Sequence, residues 1–189
     1  MGFHPYRLAV VGPAGSGKST CIHTLVHGTR PDWTRTLTPQ ETEENHAAFP
    51  KRGTLDYGEV RIDGGRLLQV FGLPEERHVF SLFDDVRDSL FGAVVMVDAS
   101  AADCVERLER GLHVYAGLLQ ETPCAIALNK HHDVPPAVRV ACREKLMEHG
   151  LIAPMQTIDA RRAEDTFGLV RMLFQQRRNM ETSDAMQIA

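Results

Sequence analysis

The apolar positions of this chain fall into short runs whose period keeps changing. Leu8-Ala9-Val10-Val11, Cys124 to Leu128 and the strand Val94 to Asp98, as far as Val97, are continuous apolar runs of strand length. Such runs belong to strands covered on both faces. Tyr57-Gly58-Glu59-Val60-Arg61-Ile62 alternates instead, Asp63-Gly64-Gly65 offers a tight turn, and Leu67-Leu68-Gln69-Val70-Phe71 returns. That stretch predicts a β-hairpin. Elsewhere the period is helical. Cys21, Ile22, Leu25 and Val26 share one side of a segment that starts near Lys18, and Phe80, Phe83, Val86 and Leu90 do the same over 79–90. Further helices are predicted over 102–120, 136–149 and 163–175, with a short strand over 155–158 before the last. The polar stretches 28–51 and 72–77 carry no sustained period, and the first is long enough to be read as a candidate switch loop.

Strands and helices alternate along the whole length. The pattern predicts an α/β fold: an open, mostly parallel six-stranded sheet with one antiparallel edge strand and helices on both faces. Ligands of such sheets sit at the carboxyl ends of the strands. With 189 residues the chain suits one domain, expected over 1–175, followed by a polar, frayed tail over 176–189.

Composition narrows the class. The chain is 43% hydrophobic and 24% charged, which is ordinary for a globular protein, and its formal net charge of −4 argues against a nucleic-acid partner. Arg161-Arg162 and Arg177-Arg178 are isolated pairs. The run from Gly92 to Val97 is too short to span a bilayer, and the N-terminus lacks a signal-peptide layout. Tyr6 stands where a myristoylation signal has Ser or Thr, and the last four residues carry no prenylation Cys. The expectation is a cytoplasmic protein with no membrane anchor of its own. Cys21, Cys104, Cys124 and Cys142 form no C-x-x-C pair and read as core thiols, and the nine histidines show no metal-ligand spacing on a common helix.

The chemistry is concentrated after the first strand, in Gly12-Pro13-Ala14-Gly15-Ser16-Gly17-Lys18-Ser19. This is G-x-x-x-x-G-K-[ST], a phosphate-binding loop. Its glycines let the backbone around Ala14, Gly15, Ser16 and Gly17 curl so that N–H groups form an anion nest at a helix N-terminus. Lys18 supplies a point charge to the outer phosphates, and Ser19 offers its hydroxyl to Mg2+. Thr20 follows as a neighbouring hydroxyl. A second polar cluster, Asn129-Lys130-His131-His132-Asp133, follows the strand Cys124 to Leu128.

On these motifs the chain, over about residues 7–175, resembles the bacterial members of the Ras superfamily of small GTPases, particularly those that work with roadblock-domain proteins. The resemblance implies GTP and GDP as ligands, Mg2+ as cofactor, a roadblock-type or other regulatory protein as partner, and GTP hydrolysis that is slow or partner-dependent. The superfamily reads its base with N-K-x-D. Asn129 and Lys130 match, His132 stands at the Asp position, and the carboxylate comes one residue later at Asp133. Either Asp133 reaches the base or guanine is not strictly selected, which leaves adenine open. Asp159-Ala160-Arg161 is similar to the loop whose backbone amide meets the base carbonyl, and only Ala160 carries over.

In the second switch, Gly72-Leu73-Pro74-Glu75-Glu76 stands where bacterial relatives have a Gly and a catalytic Gln, which gives Glu76, with Lys18, the catalytic places. An acidic pair at a helix start is the alternative for Glu75 and Glu76. In the first switch, Asp56-Tyr57 matches an Asp-aromatic pair. The Thr expected four residues earlier is Arg52, so either Thr54 serves Mg2+ after a register shift or Arg52 contributes charge in the manner of an arginine finger. Two other readings stay open: a nucleotide-binding module without turnover, used for protein interaction, and a P-loop phosphotransferase acting on a small molecule. The second would leave the Asn129-Lys130 pair without a task.

Overall fold

A computed structural model describes residues 5–28, 56–62, 66–73 and 89–187, with side chains as far as Met180. The elements are β1 (Tyr6–Val11), α1 (Lys18–His27), β2 (Asp56–Ile62), β3 (Arg66–Gly72), β4 (Leu90–Asp98), α2 (Cys104–Glu121), β5 (Cys124–Asn129), α3 (Pro136–Glu148), β6 (Met155–Ile158) and α4 (Ala163–Gln187). The strands form one sheet in the order β2-β3-β1-β4-β5-β6. Every neighbouring pair is parallel except β2 with β3. The α/β class, the six strands and the single antiparallel edge strand thus stand as the hydrophobic pattern predicts.

Both faces of the sheet are covered, and β1 shows why its run had to be apolar throughout. Leu8 and Val10 point to one face, where Cys21, Ile22, Leu25 and Val26 of α1 pack with Leu169, Val170 and Leu173 of α4. Ala9 and Val11 point to the other face. There Leu108, Leu112 and Tyr115 of α2 and Cys142 and Leu146 of α3 complete the layer. All four thiols are free and buried, and burial pushes Cys21 up to about 12 and Cys124 to about 11.

Two boundaries differ from the sequence reading. Leu90, expected to close a helix over 79–90, opens β4, which starts four residues before Val94. Leu90 fits both periods, since it continues the spacing of Phe83 and Val86 and also heads the apolar run to Val97. The last helix does not stop near Gln175 but runs to Gln187. Polar side chains hold that extension, with Gln176 Nε2 donating to the Cys124 carbonyl and Arg177 Nη1 to the Leu90 carbonyl, each at 3.2 Å. The hairpin turn 63–65, residues 29–51 of the candidate switch loop and residues 79–88 of the expected helix lie outside the described residues. No described helix is long and apolar enough to cross a membrane.

The topology brings distant residues to one edge. β1, β3, β4, β5 and β6 end there at Val11, Gly72, Asp98, Asn129 and Ile158. Because β2 runs the other way, its first residue, Asp56, lies opposite Gly72 at the same edge.

Candidate functional site

The glycine-rich loop crosses that edge between β1 and α1. Gly17 stands at the N-cap of α1 with φ +103°, a left-handed value that L side chains rarely adopt, and a Cβ there would overlap the Asn129 amide nitrogen. Only glycine permits both the turn and the close approach. Side-chain donors grip the loop carbonyls from two sides. Lys18 Nζ donates to the carbonyls of Gly12 and Pro13 at 2.6 and 2.9 Å, Lys130 Nζ to that of Gly15 at 2.5 Å, and Asn129 Nδ2 to that of Ser16 at 2.9 Å.

This grip sets the polarity of the loop. In a trans peptide each carbonyl opposes the next N–H, so the held carbonyls of Pro13 and Ser16 leave the N–H groups of Ala14 and Gly17 facing the other way. The Ser16 N–H closes a turn onto the Pro13 carbonyl at 3.1 Å. The buried Ser16 hydroxyl is left without a hydrogen-bond partner among the described residues. Together with the amino end of α1, this arrangement is suited to an anion.

Asn129, 3% exposed, is the hub. Its Nδ2 holds the Ser16 carbonyl while its Oδ1 accepts the Ala160 N–H at 3.0 Å, so one side chain ties the glycine-rich loop to the turn after β6. The Ala160 amide, expected to face a base carbonyl, is instead spent on Asn129. Asp159 is equally committed, since its carboxylate accepts from Arg161 Nε, Nη2 and backbone N–H at 2.7–3.0 Å. Those hydrogen bonds hold the Asp159 carboxyl well below the usual range. Asp133 and His132 are both exposed on the turn after β5, with Asp133 making no polar contact among the described residues and His132 lending its field to Asp159.

Two acids join the site at this edge; the sequence offers Asp56 only as half of an Asp-aromatic pair and Asp98 only as the end of a strand. Asp56 accepts a 2.5 Å hydrogen bond from the Ser19 hydroxyl, which places a carboxylate beside the one side-chain oxygen that the loop motif reserves for a metal. The pairing of Asp56 with Gly72 explains the reach, because a Cβ at Gly72 would crowd the Asp56 Cβ. Asp98, at the end of β4, accepts from Lys130 Nζ at 2.7 Å and from the Ser100 backbone and hydroxyl at 3.1 and 2.6 Å. Burial alone would raise its carboxyl, yet the bonds from Lys130 and Ser100 outweigh it and hold the group below its usual value. Neither contact can be read from a motif: Ser19 lies 37 residues from Asp56 and Lys130 lies 32 from Asp98, and the pairs meet only with the fold.

Thr20 follows Ser19 on the first turn of α1 and is exposed. Arg52, Thr54, Pro74, Glu75 and Glu76 lie outside the described residues. Compared with protein-family models and with curated proteins, the chain matches none.

Proposed function

We propose that this protein is a guanine-nucleotide-binding switch of the Ras-like small GTPase class, with GTP and GDP as ligands and slow or partner-dependent hydrolysis of GTP. One observation carries the reading: Asn129 and Lys130, adjacent residues of a base-reading type of motif, grip the adjacent Ser16 and Gly15 carbonyls of a phosphate-loop motif. A small-molecule phosphotransferase would have no use for that link. The triphosphate lies along the Ala14 to Lys18 amides. Lys18 exchanges its two carbonyl partners for phosphate oxygens when a nucleotide enters.

The donor set at Ser19 fits Mg2+. A hydroxyl and a carboxylate already in contact are two hard oxygens of the kind this ion takes while keeping its waters, so Ser19 and Asp56 would hold it. The ion would neutralise charge on the outer phosphates. Thr54 and Glu76 keep the roles that the sequence suggests for them, metal closure and water orientation, and a roadblock-type protein is the proposed regulator.

The test is the nucleotide that leaves the purified protein on denaturation, read by mass spectrometry, together with calorimetric titration of the nucleotide-free form. GDP or GTP is expected. ADP or ATP would move base reading from Asp133 to His132 and end the guanine assignment. Lys18→Ala should weaken GTP binding by at least about tenfold, because a hydrogen bond to a charged group contributes about 1.5–3 kcal/mol. Equal affinity in the variant would remove the loop from triphosphate binding.

A further inference from the structure

We infer that Asp98 is a positioning residue that sets how long a nucleotide stays bound, by holding Lys130 against the glycine-rich loop. The inference rests on the nucleotide reading above. Lys130 is the first residue past β5 and has φ +69°, a left-handed conformation that a lysine adopts only under constraint. The constraint is visible at the other end of the side chain. Its ammonium bridges the Asp98 carboxylate at 2.7 Å and the Gly15 carbonyl at 2.5 Å, with Asp98 itself only 16% exposed.

Asp98 is in turn fixed on both oxygens. Oδ2 takes Lys130, and Oδ1 takes the backbone and hydroxyl of Ser100. β4 and β5 are in parallel register with Asp98 beside Asn129, and the Ala99 N–H donates to the Asn129 carbonyl at 2.9 Å. The acid therefore sits on a rigid strand end while the lysine it holds reaches the most open part of the loop. A Cβ on Gly15 would meet nothing within 4 Å, so no packing secures that residue. Among the described residues, the side chain that holds its carbonyl is Lys130. Release of Lys130 from Asp98 frees the ammonium to leave Gly15, and the nest that holds the phosphates loosens.

The test compares Asp98→Asn, Lys130→Ala and the double variant in full-length protein. Asparagine still accepts the Ser100 bonds through Oδ1 and replaces the acceptor facing Lys130 with an uncharged amide donor, so both the charge and the hydrogen bond to the ammonium are lost while the turn at Ser100 is kept. Release of fluorescently labelled GDP is expected to quicken by about tenfold in each single variant, and the double variant should release no faster than Lys130→Ala. Asp98→Glu should recover part of the slow release, which a merely structural role would not predict. Unchanged release from Asp98→Asn, or effects that multiply in the double variant, would overturn the inference. If the wild-type protein binds no GDP, the nucleotide reading fails by itself. Hydrogen exchange in the nucleotide-free protein then decides the brace separately, by faster exchange at the amides of residues 14–17 in both single variants or by none.

Discussion

At the scale of single residues, the site depends on backbone positions that exclude a side chain for different reasons. Gly15 and Gly17 both have positive φ, at +76° and +103°. Replacing either by alanine carries the left-handed penalty of about 1–2 kcal/mol. Gly17 carries a second cost, because its new methyl would displace the Asn129 amide from between Ser16 and Ala160, whereas the methyl at Gly15 would enter open space. Gly17→Ala should therefore lower the unfolding free energy in urea by at least about 1–3 kcal/mol more than Gly15→Ala, the cost of unsatisfied buried groups. Equal losses would mean that Asn129 yields freely and is not the hub. The motif residues were legible because their spacing is itself the chemistry: Gly12, Gly17, Lys18 and Ser19 are close in sequence and act together. Asp56 and Asp98 were not legible as partners of Ser19 and Lys130. Their contacts follow from strand order, which pairs Asp56 with Gly72 and Asp98 with Asn129.

At the scale of elements, the strands that could be read most securely were those with only one possible burial. Runs such as Val94 to Val97, Cys124 to Leu128 and Leu8 to Val11 are apolar at every position and must be covered twice, which fixes them as interior strands. The β2–β3 hairpin was readable through alternation. Leu90 was ambiguous because one leucine satisfies a helical and an extended period equally. The extension of α4 left no hydrophobic trace, since beyond Gln175 its holds on the sheet are polar: Gln176 on the Cys124 carbonyl and Arg177 on the Leu90 carbonyl. These two carbonyls belong to the first residues of β5 and β4, so the helix secures the amino ends of the two strands whose far ends carry Asn129 and Asp98. Ending the chain after Gln175 should lower the unfolding free energy by about 1–3 kcal/mol, from two net hydrogen bonds of about 0.5–1.5 kcal/mol each. Gln176→Ala with Arg177→Ala in the intact chain should reproduce most of that loss. A truncated protein as stable as the full chain would show that the extension contributes nothing to the sheet.

For the whole molecule, the same arrangement limits stability at both ends of the pH scale. Asp98 and Asp159 are held below the ordinary carboxylate range by bonded cations, Lys130 and Arg161, once burial is set against those bonds at Asp98. Half-buried Asp103 and Glu109 are lowered likewise, chiefly by Arg107 and Lys145. A depressed carboxyl stabilises the fold above its unfolded pKa of roughly 4, and that contribution is lost as pH falls through the folded value. Acid also unbalances the charge, since 25 acidic side chains become neutral while 21 lysines and arginines stay cationic. The alkaline limit arises in the core. Burial raises Cys21 to about 12 and Cys124 and Cys142 to about 11, while burial and the Glu59 bond raise Tyr57. A group whose folded value is raised favours the native state below its unfolded pKa, about 8.5 for a thiol, and that support disappears as pH climbs toward the folded value. Melting temperature should therefore be level between about pH 5 and 8 and fall on both sides. The two limbs separate by substitution: Asp98→Asn should flatten the acid limb and leave the alkaline one unchanged, and Cys21→Ala should do the reverse. Thermal melts across pH 3–10 decide it. An acid limb unaltered by Asp98→Asn would mean that the ion pair with Lys130 adds nothing to the fold, and its effect would then have to be sought in nucleotide release alone.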